Sequence, residues 1–264
     1  RSIARCLEDN VCMCGRYAAS RDALEIADHF AAEQIPIDTG AHAPRVPNYN
    51  VTPTSEVFIV LEDADSVRKV DTARWGLIPS WSKDARRASR MINARSESVA
   101  EKPAYRAAFR RRRCLIPADG YFEWQATSAN TPGVSIPKQP FFIHIADGSP
   151  IAFAGLYEDW NGPDGPVRSC TVLTQDARGQ LAHIHDRMPV FVTAPDWQEW
   201  LGPEEQDVSV LSRLVDRLRN EAVVDELQAY PISTRVNKPS NNDPALLDPI
   251  GPAIDEGNHS GHVG

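Results

Sequence analysis

The chain lacks an apolar run of the roughly 20 residues that a bilayer crossing needs, and no apolar stretch near its start resembles a secretory signal. It also lacks paired cysteines. The five present (6, 12, 14, 114 and 170) are an odd number without the spacing of a disulfide framework, so a reducing, cytoplasmic setting is expected rather than export. Cys12-x-Cys14 has no second pair or nearby histidine to complete a zinc site. No metal, nucleotide or flavin is expected. Strand and helix patterns do not alternate, which argues against a doubly wound parallel sheet, and no internal repeat is visible. No methionine precedes Met13.

Net positive charge is also missing: the 264 residues sum to −8. That sum hides a strong asymmetry. Residues 196–264 hold five basic and thirteen acidic side chains, whereas 74–113 holds twelve basic against three acidic, a local +9. Such a segment can line a phosphate backbone on an acidic protein; the competing reading is a solvated helix face.

What is present is dominated by short strand patterns with a few helices. Ser20 is placed to cap a helix running to about Glu33, with Leu24, Ala27, Phe30 and Ala31 on one face. Strands are expected at 57–61, 67–78, 114–124, 141–145, 151–157, 167–174, 188–193 and 227–233, and helices near 103–112, 195–201 and 208–220. The expectation is α+β: a single domain of mostly antiparallel, barrel-like sheets with flanking helices, spanning 14–249. Residues 1–13 are expected to be an extension or a removed segment, and 250–264, rich in Gly, Asp, His and Asn, a disordered tail.

Met13-Cys14-Gly15-Arg16-Tyr17 is the most telling stretch. If translation starts at Met13, removal of that methionine leaves Cys14 first. An N-terminal cysteine carries an α-amine with a reference pKa of about 7.7–8.0 beside a thiol of about 8.5. The amine can condense with an aldehyde, and the thiol can then close a five-membered thiazolidine. The plain alternative is a small buried residue entering a strand.

Four further clusters set polar groups in apolar strand context: Trp75 to Trp81, Ile92 to Glu97, Cys114 to Trp124, and His183 to Pro189. In the third, alternation turns Glu123 away from Phe122 and Trp124 and onto the face of Tyr121. Desolvation there would raise its pKa toward neutrality, which suits proton transfer; otherwise it is an exposed edge glutamate. His185 has the proton affinity of an acid or oxyanion donor, or it is a structural hub beside Asp186 and Arg187. His183 shares its expected strand face, and spacing does not separate the two. Asn93 holds either a substrate hydroxyl or the backbone of a turn.

Taken together the segments resemble the SRAP (SOS response-associated peptidase) family of abasic site processing proteins. The resemblance rests on Met13 to Tyr17, Tyr49 to Pro53, Trp75 to Trp81, Asn93 to Glu97, Arg113 to Trp124, Ala154 to Tyr157 and Ile184 to Pro189, in the family's order and across about 13–237. It implies the SRAP fold and a monomer that acts in the DNA damage or SOS response, associated with the nucleoid. The implied activity is binding of single-stranded DNA and covalent capture of abasic sites through a thiazolidine at Cys14. The implied catalytic residues are Cys14, Asn93, Glu123 and His185, the match favouring His185 over His183. Arg16, Asn50, Trp81, Arg95 and Arg187 are the implied DNA contacts, Trp81 by stacking on bases. Ser82 stands where relatives often carry a second aromatic.

The twelve residues before Met13 depart from the pattern, since an internal Cys14 has an amide nitrogen and forms no imine. A misassigned upstream start is the favoured expectation; autoproteolysis before Cys14, or a member without crosslinking, are the others. Three further activities remain beside covalent capture. They are a thiol peptidase with His185 as base, strand cleavage by β-elimination through the same imine, and a non-covalent single-strand-binding module.

Overall fold

A computed structural model describes residues 14–34, 44, 46–126, 138–220 and 222–254. Its thirteen strands are β1 (Tyr17–Ala19), β2 (Glu33–Gln34), β3 (Asn48–Val51), β4 (Glu56–Glu62), β5 (Arg68–Trp75), β6 (Asn93–Arg95), β7 (Arg113–Ala118), β8 (Gly120–Gln125), β9 (Gln139–Ile145), β10 (Ile151–Gly162), β11 (Gly165–Asp176), β12 (Arg187–Pro189) and β13 (Leu227–Pro231). The α-helices are α1 (Ala23–His29), α2 (Arg106–Arg111), α3 (Trp197–Leu201) and α4 (Val208–Leu218).

Two sheets form, one ordered β13-β9-β8-β1-β3 and the other β12-β11-β10-β7-β4-β5-β2. In the larger sheet β5 returns to pair in parallel with β11, through Ser169–Arg74 and Cys170–Trp75. That pairing closes β4, β5, β7, β10 and β11 into a barrel. The α+β, mostly antiparallel, barrel-like architecture expected from the sequence is the one observed.

Alternation along the strands sorts three apolar layers. Tyr17, Val51, Trp75, Ile116, Tyr121, Phe141, Phe153 and Phe191 fill the space between the sheets. Val60, Leu115, Ala154 and Leu173 turn to the other face of the larger sheet, which is covered by Ile26 and Phe30, Phe109, Trp200, Leu211 and Leu214. Helix α4 supplies Leu211, Leu214, Val215 and Leu218 at helical spacing to that layer. Ala18, Phe122 and Phe142 face outward from the smaller sheet, beneath Ile232 and Val236.

Several boundaries differ from the sequence expectation for local reasons. Asp22, not Ser20, caps α1: its side chain accepts from Leu24 and Glu25 nitrogens, and Glu25 bonds back in a reciprocal capping box. The helix is correspondingly short, and 33–34 is strand. The expected strand 114–124 is two strands in different sheets, parted at Asp119, whose carboxylate takes the Ser20 nitrogen and Arg21. The strand expected over 67–78 ends at Trp75, because Gly76 has φ +132° and its Cβ position lies against the Ala88 carbonyl oxygen. The expected strand 188–193 is three residues long, and His183 lies in a 3₁₀ turn before it.

At the C-terminal end, Ile250 and Ile254 nitrogens bond to the Pro231 and Ala229 carbonyls, which ties this segment to β13. The expected extension (1–13) and the remainder of the expected tail (255–264) lie outside the described residues.

Candidate functional site

The approach to β1 carries Cys14, 6% exposed and in the left-handed region with φ +45°. Few non-glycine residues adopt that conformation. It aims the Cys14 backbone nitrogen at the neighbouring strand, where it donates to Glu123 Oε1 at 2.8 Å. The Phe122 nitrogen donates to the Arg16 carbonyl at 3.0 Å and stitches the two segments together. Glu123 therefore faces the inner core, beside Tyr121, while Phe122 and Trp124 belong to the outer layer.

Glu123 is 3% exposed, and burial is the chief reason its carboxyl is pushed up to about 6. The charge of His185 and hydrogen bonds from Cys14 pull the other way, and Asp186 adds to the rise. Burial and the adjacent Glu123 also push the Cys14 thiol well above its ordinary range. The thiol is thus protonated near neutral pH while the carboxyl is poised to exchange a proton. The sulfur lies 3.9 Å from the Arg187 carbonyl oxygen.

His185 stands just before β12. Its Nδ1 accepts from the Arg187 backbone nitrogen at 3.1 Å and lies 3.0 Å from Asp186 Oδ1. Those contacts suit two forms of the ring. Neutral, it accepts at Nδ1 and carries its proton on Nε2; protonated, it donates to Asp186. His183 is exposed, on the preceding turn.

The far half of β11 positions the remaining candidates. On one edge it pairs with β6, Val172 opposite Asn93 and Thr174 opposite Arg95. On the other edge it pairs with β12, Asp176 opposite Arg187. Ala94 faces the helix-covered layer, so alternation turns Asn93 and Arg95 to the opposite face. Asn93 is half-buried and its carbonyl accepts from the Tyr105 hydroxyl at 3.2 Å.

The cations expected to meet DNA fall into two groups. Arg187 is buried and its guanidinium grips Glu97 through two 2.9 Å bonds, the Thr174 carbonyl at 2.8 Å, and Asp176. Arg16 donates to Asn50 Oδ1 at 2.7 Å and the Val236 carbonyl at 2.9 Å, with its guanidinium 5.9 Å from the Trp124 ring. Asn50 spends its amide on the Val236, Lys238 and Asn241 carbonyls. In contrast, Arg95 is exposed, and Trp81 is 67% exposed on its loop.

The +9 segment is less free than its sequence suggests. Arg110 and Arg111 pair with Glu205, Arg112 with buried Glu158, and Arg113 is enclosed by the Phe109, Trp200 and Gly202 carbonyls. Arg87, Arg90, Arg95 and Arg106 keep exposed positions. A groove of about 520 Å³ lined by Glu62, Arg113, Tyr157 and Arg168 shares no residue with the Cys14 cluster. Its Arg168 is engaged by Asp71 and Asp159.

The site contains partners that sequence reasoning missed. Glu97 holds Arg187 from a segment 90 residues away, and Asp176 faces it across the β11–β12 pairing; no sequence signal announces either contact. Tyr121 was visible as a residue on Glu123's face, but not as part of the site. Among the described residues, no group of three or more His, Cys, Asp or Glu side chains is arranged to hold a metal, and no helix is long and apolar enough to cross a membrane.

The family described as SOS response associated peptidase (SRAP) matches residues 13–239. The abasic site processing protein YoqW of Bacillus subtilis is 37% identical over 237 residues, covering 89% of this chain and 99% of its own length. The abasic site processing protein HMCES of Xenopus tropicalis is 31% identical, covering 79% of this chain and 69% of its own. A crystal structure of a Bacteroides thetaiotaomicron protein superposes with a TM-score of 0.74 at 24% identity, over 89% of this chain and 99% of that one.

Proposed function

The chain belongs to the SOS response associated peptidase (SRAP) family, and on that premise we propose that it captures abasic sites in single-stranded DNA covalently through Cys14. One observation carries the reading: the Cys14 nitrogen lies 2.8 Å from a buried carboxyl pushed up to about 6. A group so tuned can take a proton from an attacking amine and return it later in the reaction.

The chemistry requires a mature chain that begins at Cys14, where this nitrogen is an amine. The ring-opened sugar presents an aldehyde at C1′. Amine addition and loss of water give an imine, with Glu123 moving the protons. The thiol then adds to the imine carbon; the C=N π pair goes to nitrogen, which takes up the proton that sulfur gives up. His185, with its Nε2 proton in the neutral form, would donate to the sugar ring oxygen as it opens, and Asn93 would hold the sugar. Trp81 and Arg95 would meet the DNA at the surface. Arg16, Asn50 and Arg187 would act from beneath, by fixing the backbone around Cys14. The protein would work inside the cell, where it meets DNA.

A thiol peptidase is less well supported. The Cys14 nitrogen and thiol face Glu123 rather than an imidazole base, and His185 Nδ1 is occupied by the Arg187 nitrogen. The deciding experiment is intact mass of the protein from its native gene, before and after incubation with single-stranded DNA carrying one abasic site. A mass starting at Cys14 that gains the DNA minus one water is the expected result. A mass retaining Arg1 to Met13, with no adduct, would overturn the proposal.

A further inference from the structure

Trp81 occupies the third position of a turn, Pro79 to Ser82, closed by the Ser82 nitrogen donating to the Pro79 carbonyl at 2.8 Å. The chain enters that turn tied to β11. The Gly76 nitrogen donates to the Cys170 carbonyl and the Ile78 nitrogen to the Ser169 hydroxyl, both at 2.8 Å. Beyond the turn, the Ser82 hydroxyl donates to the Asp84 carbonyl at 2.7 Å. The Ser82 carbonyl is taken from another element altogether: the indole Nε1 of Trp160, near the end of β10, donates to it at 2.7 Å across 78 residues of sequence.

Trp160 is itself closely seated. Its ring is 7% exposed and packs with Ile78 and Ala88, which flank the turn, while Val167 stands opposite it on β11. Gly162 leaves room for that ring, since a Cβ there would lie 2.2 Å from it. One tryptophan is thus buried and bonded, and the other is 67% exposed on the backbone that the first holds. An exposed ring on a loose loop loses conformational freedom when it stacks, and that loss subtracts from affinity. A loop fixed beforehand has little left to lose.

We propose that Trp160 is a positioning residue for single-strand binding: its indole bond to Ser82 sets the turn so that Trp81 meets a base in one orientation. The inference rests on the reading that Trp81 stacks on DNA. Trp160 touches no base and acts through the Ser82 carbonyl.

The test is a double-mutant cycle on the Kd for an undamaged, fluorescently labelled single-stranded oligonucleotide, read by anisotropy. It compares the full chain as parent, Trp160→Phe, Trp81→Ala and the double variant, with melts to choose a temperature at which each is folded. Trp160→Phe removes the indole N–H and keeps an aromatic ring; it is expected to weaken binding about fivefold, the usual scale of one hydrogen bond. In the Trp81→Ala background the same change is expected to make less than about a twofold difference, because the ring it positions is gone. Gly162→Ala reaches the same bond by another route, displacing the Trp160 ring, and carries the test alone should Trp160→Phe not fold. Its loss of affinity is likewise expected to depend on Trp81. An unchanged Kd in folded Trp160→Phe would overturn the proposal, as would equal losses with and without Trp81, which would mark a general loosening of the fold. If Trp81→Ala binds as the parent does, the stacking reading itself fails, and the proposal with it.

Discussion

The Cys14 nitrogen and the Glu123 carboxylate meet at 2.8 Å across a sequence separation of 109 residues. The meeting depends on β1 pairing with β8, Tyr17 opposite Tyr121, which carries the residues before one strand and at the end of the other to the same edge of the core. A carboxylate there is expensive, because little solvent reaches it. In the proposed reaction it would move the protons of Cys14.

Replacement of Glu123 by glutamine retains an oxygen to accept from Cys14 but removes the exchangeable proton. Crosslink formation is expected to slow by about a hundredfold or more, the usual scale of general acid–base contributions, with the Kd for undamaged single-stranded DNA unchanged. The parent's rate should rise with pH through about 6 as the carboxyl ionises, and the variant's profile should lose that rise. A time course on denaturing gels across pH 5–8 checks both.

The same carboxyl makes the fold pH-sensitive, and the direction is fixed by the sign of its shift. Its folded value of about 6 lies above the ordinary 4.5, so the unfolded chain releases this proton first as pH rises. Its contribution is most favourable below about 4.5 and is lost as pH climbs through 6, a difference of about 2 kcal/mol. Glu123→Gln is therefore expected to raise Tm at pH 7.5 by about 4–8 °C, with the gain vanishing near pH 4. Thermal melts at the two pH values check the sign.

The sequence shows most clearly what depends on near neighbours. Long periodic segments such as 56–62, 139–145 and 208–218 read correctly because each carries enough residues to display its period. The three-residue strands Tyr17–Ala19 and Asn93–Arg95 carry too few to do so, yet they hold up the site. Cys114 to Trp124 is apolar throughout, so its division at Asp119 is visible only once Ser20 and Arg21 arrive from another segment. Glu123's orientation followed from alternation alone. The burial of Arg16 and Arg187 did not, because Val236 and Glu97 arrive from 220 and 90 residues away and Asp176 meets Arg187 only through the β11–β12 pairing.

Arg187 is buried against Glu97 and Asp176, and its backbone carbonyl and nitrogen touch the Cys14 sulfur and His185. Truncation to alanine leaves Glu97, partly exposed, with Arg219 at 3.5 Å as its remaining cation, and opens a cavity where the buried guanidinium lay. The expected cost is about 2 kcal/mol, for the loss of a buried side chain and its charge-assisted hydrogen bonds, or roughly 4–8 °C in Tm. The salt dependence of DNA binding should stay as in the parent, because the guanidinium is committed within the protein. Differential scanning fluorimetry, with a salt titration at a temperature where the variant is folded, separates this outcome from a direct phosphate contact.

Trp81 and Arg95 invert that logic. Trp81 is 67% exposed and Arg95 lies exposed at the end of β6, so neither gives the free protein much stability and both are open to a ligand. Trp81→Ala is expected to leave Tm within about 2 °C, since exposed substitutions rarely exceed about 0.5 kcal/mol. It should weaken single-strand binding by about 1–3 kcal/mol, the loss of one stacked base, with little preference among bases. Arg95→Ala should instead lower the slope of log affinity against log salt by about one unit, as one phosphate contact fewer releases fewer counterions. Fluorescence anisotropy at several salt concentrations distinguishes the two: the tryptophan variant shifts the line downward at constant slope, and the arginine variant flattens it. If Arg95→Ala leaves the slope unchanged, the phosphate path does not cross the end of β6, and Arg87, Arg90 and Arg106 are the exposed arginines to substitute next.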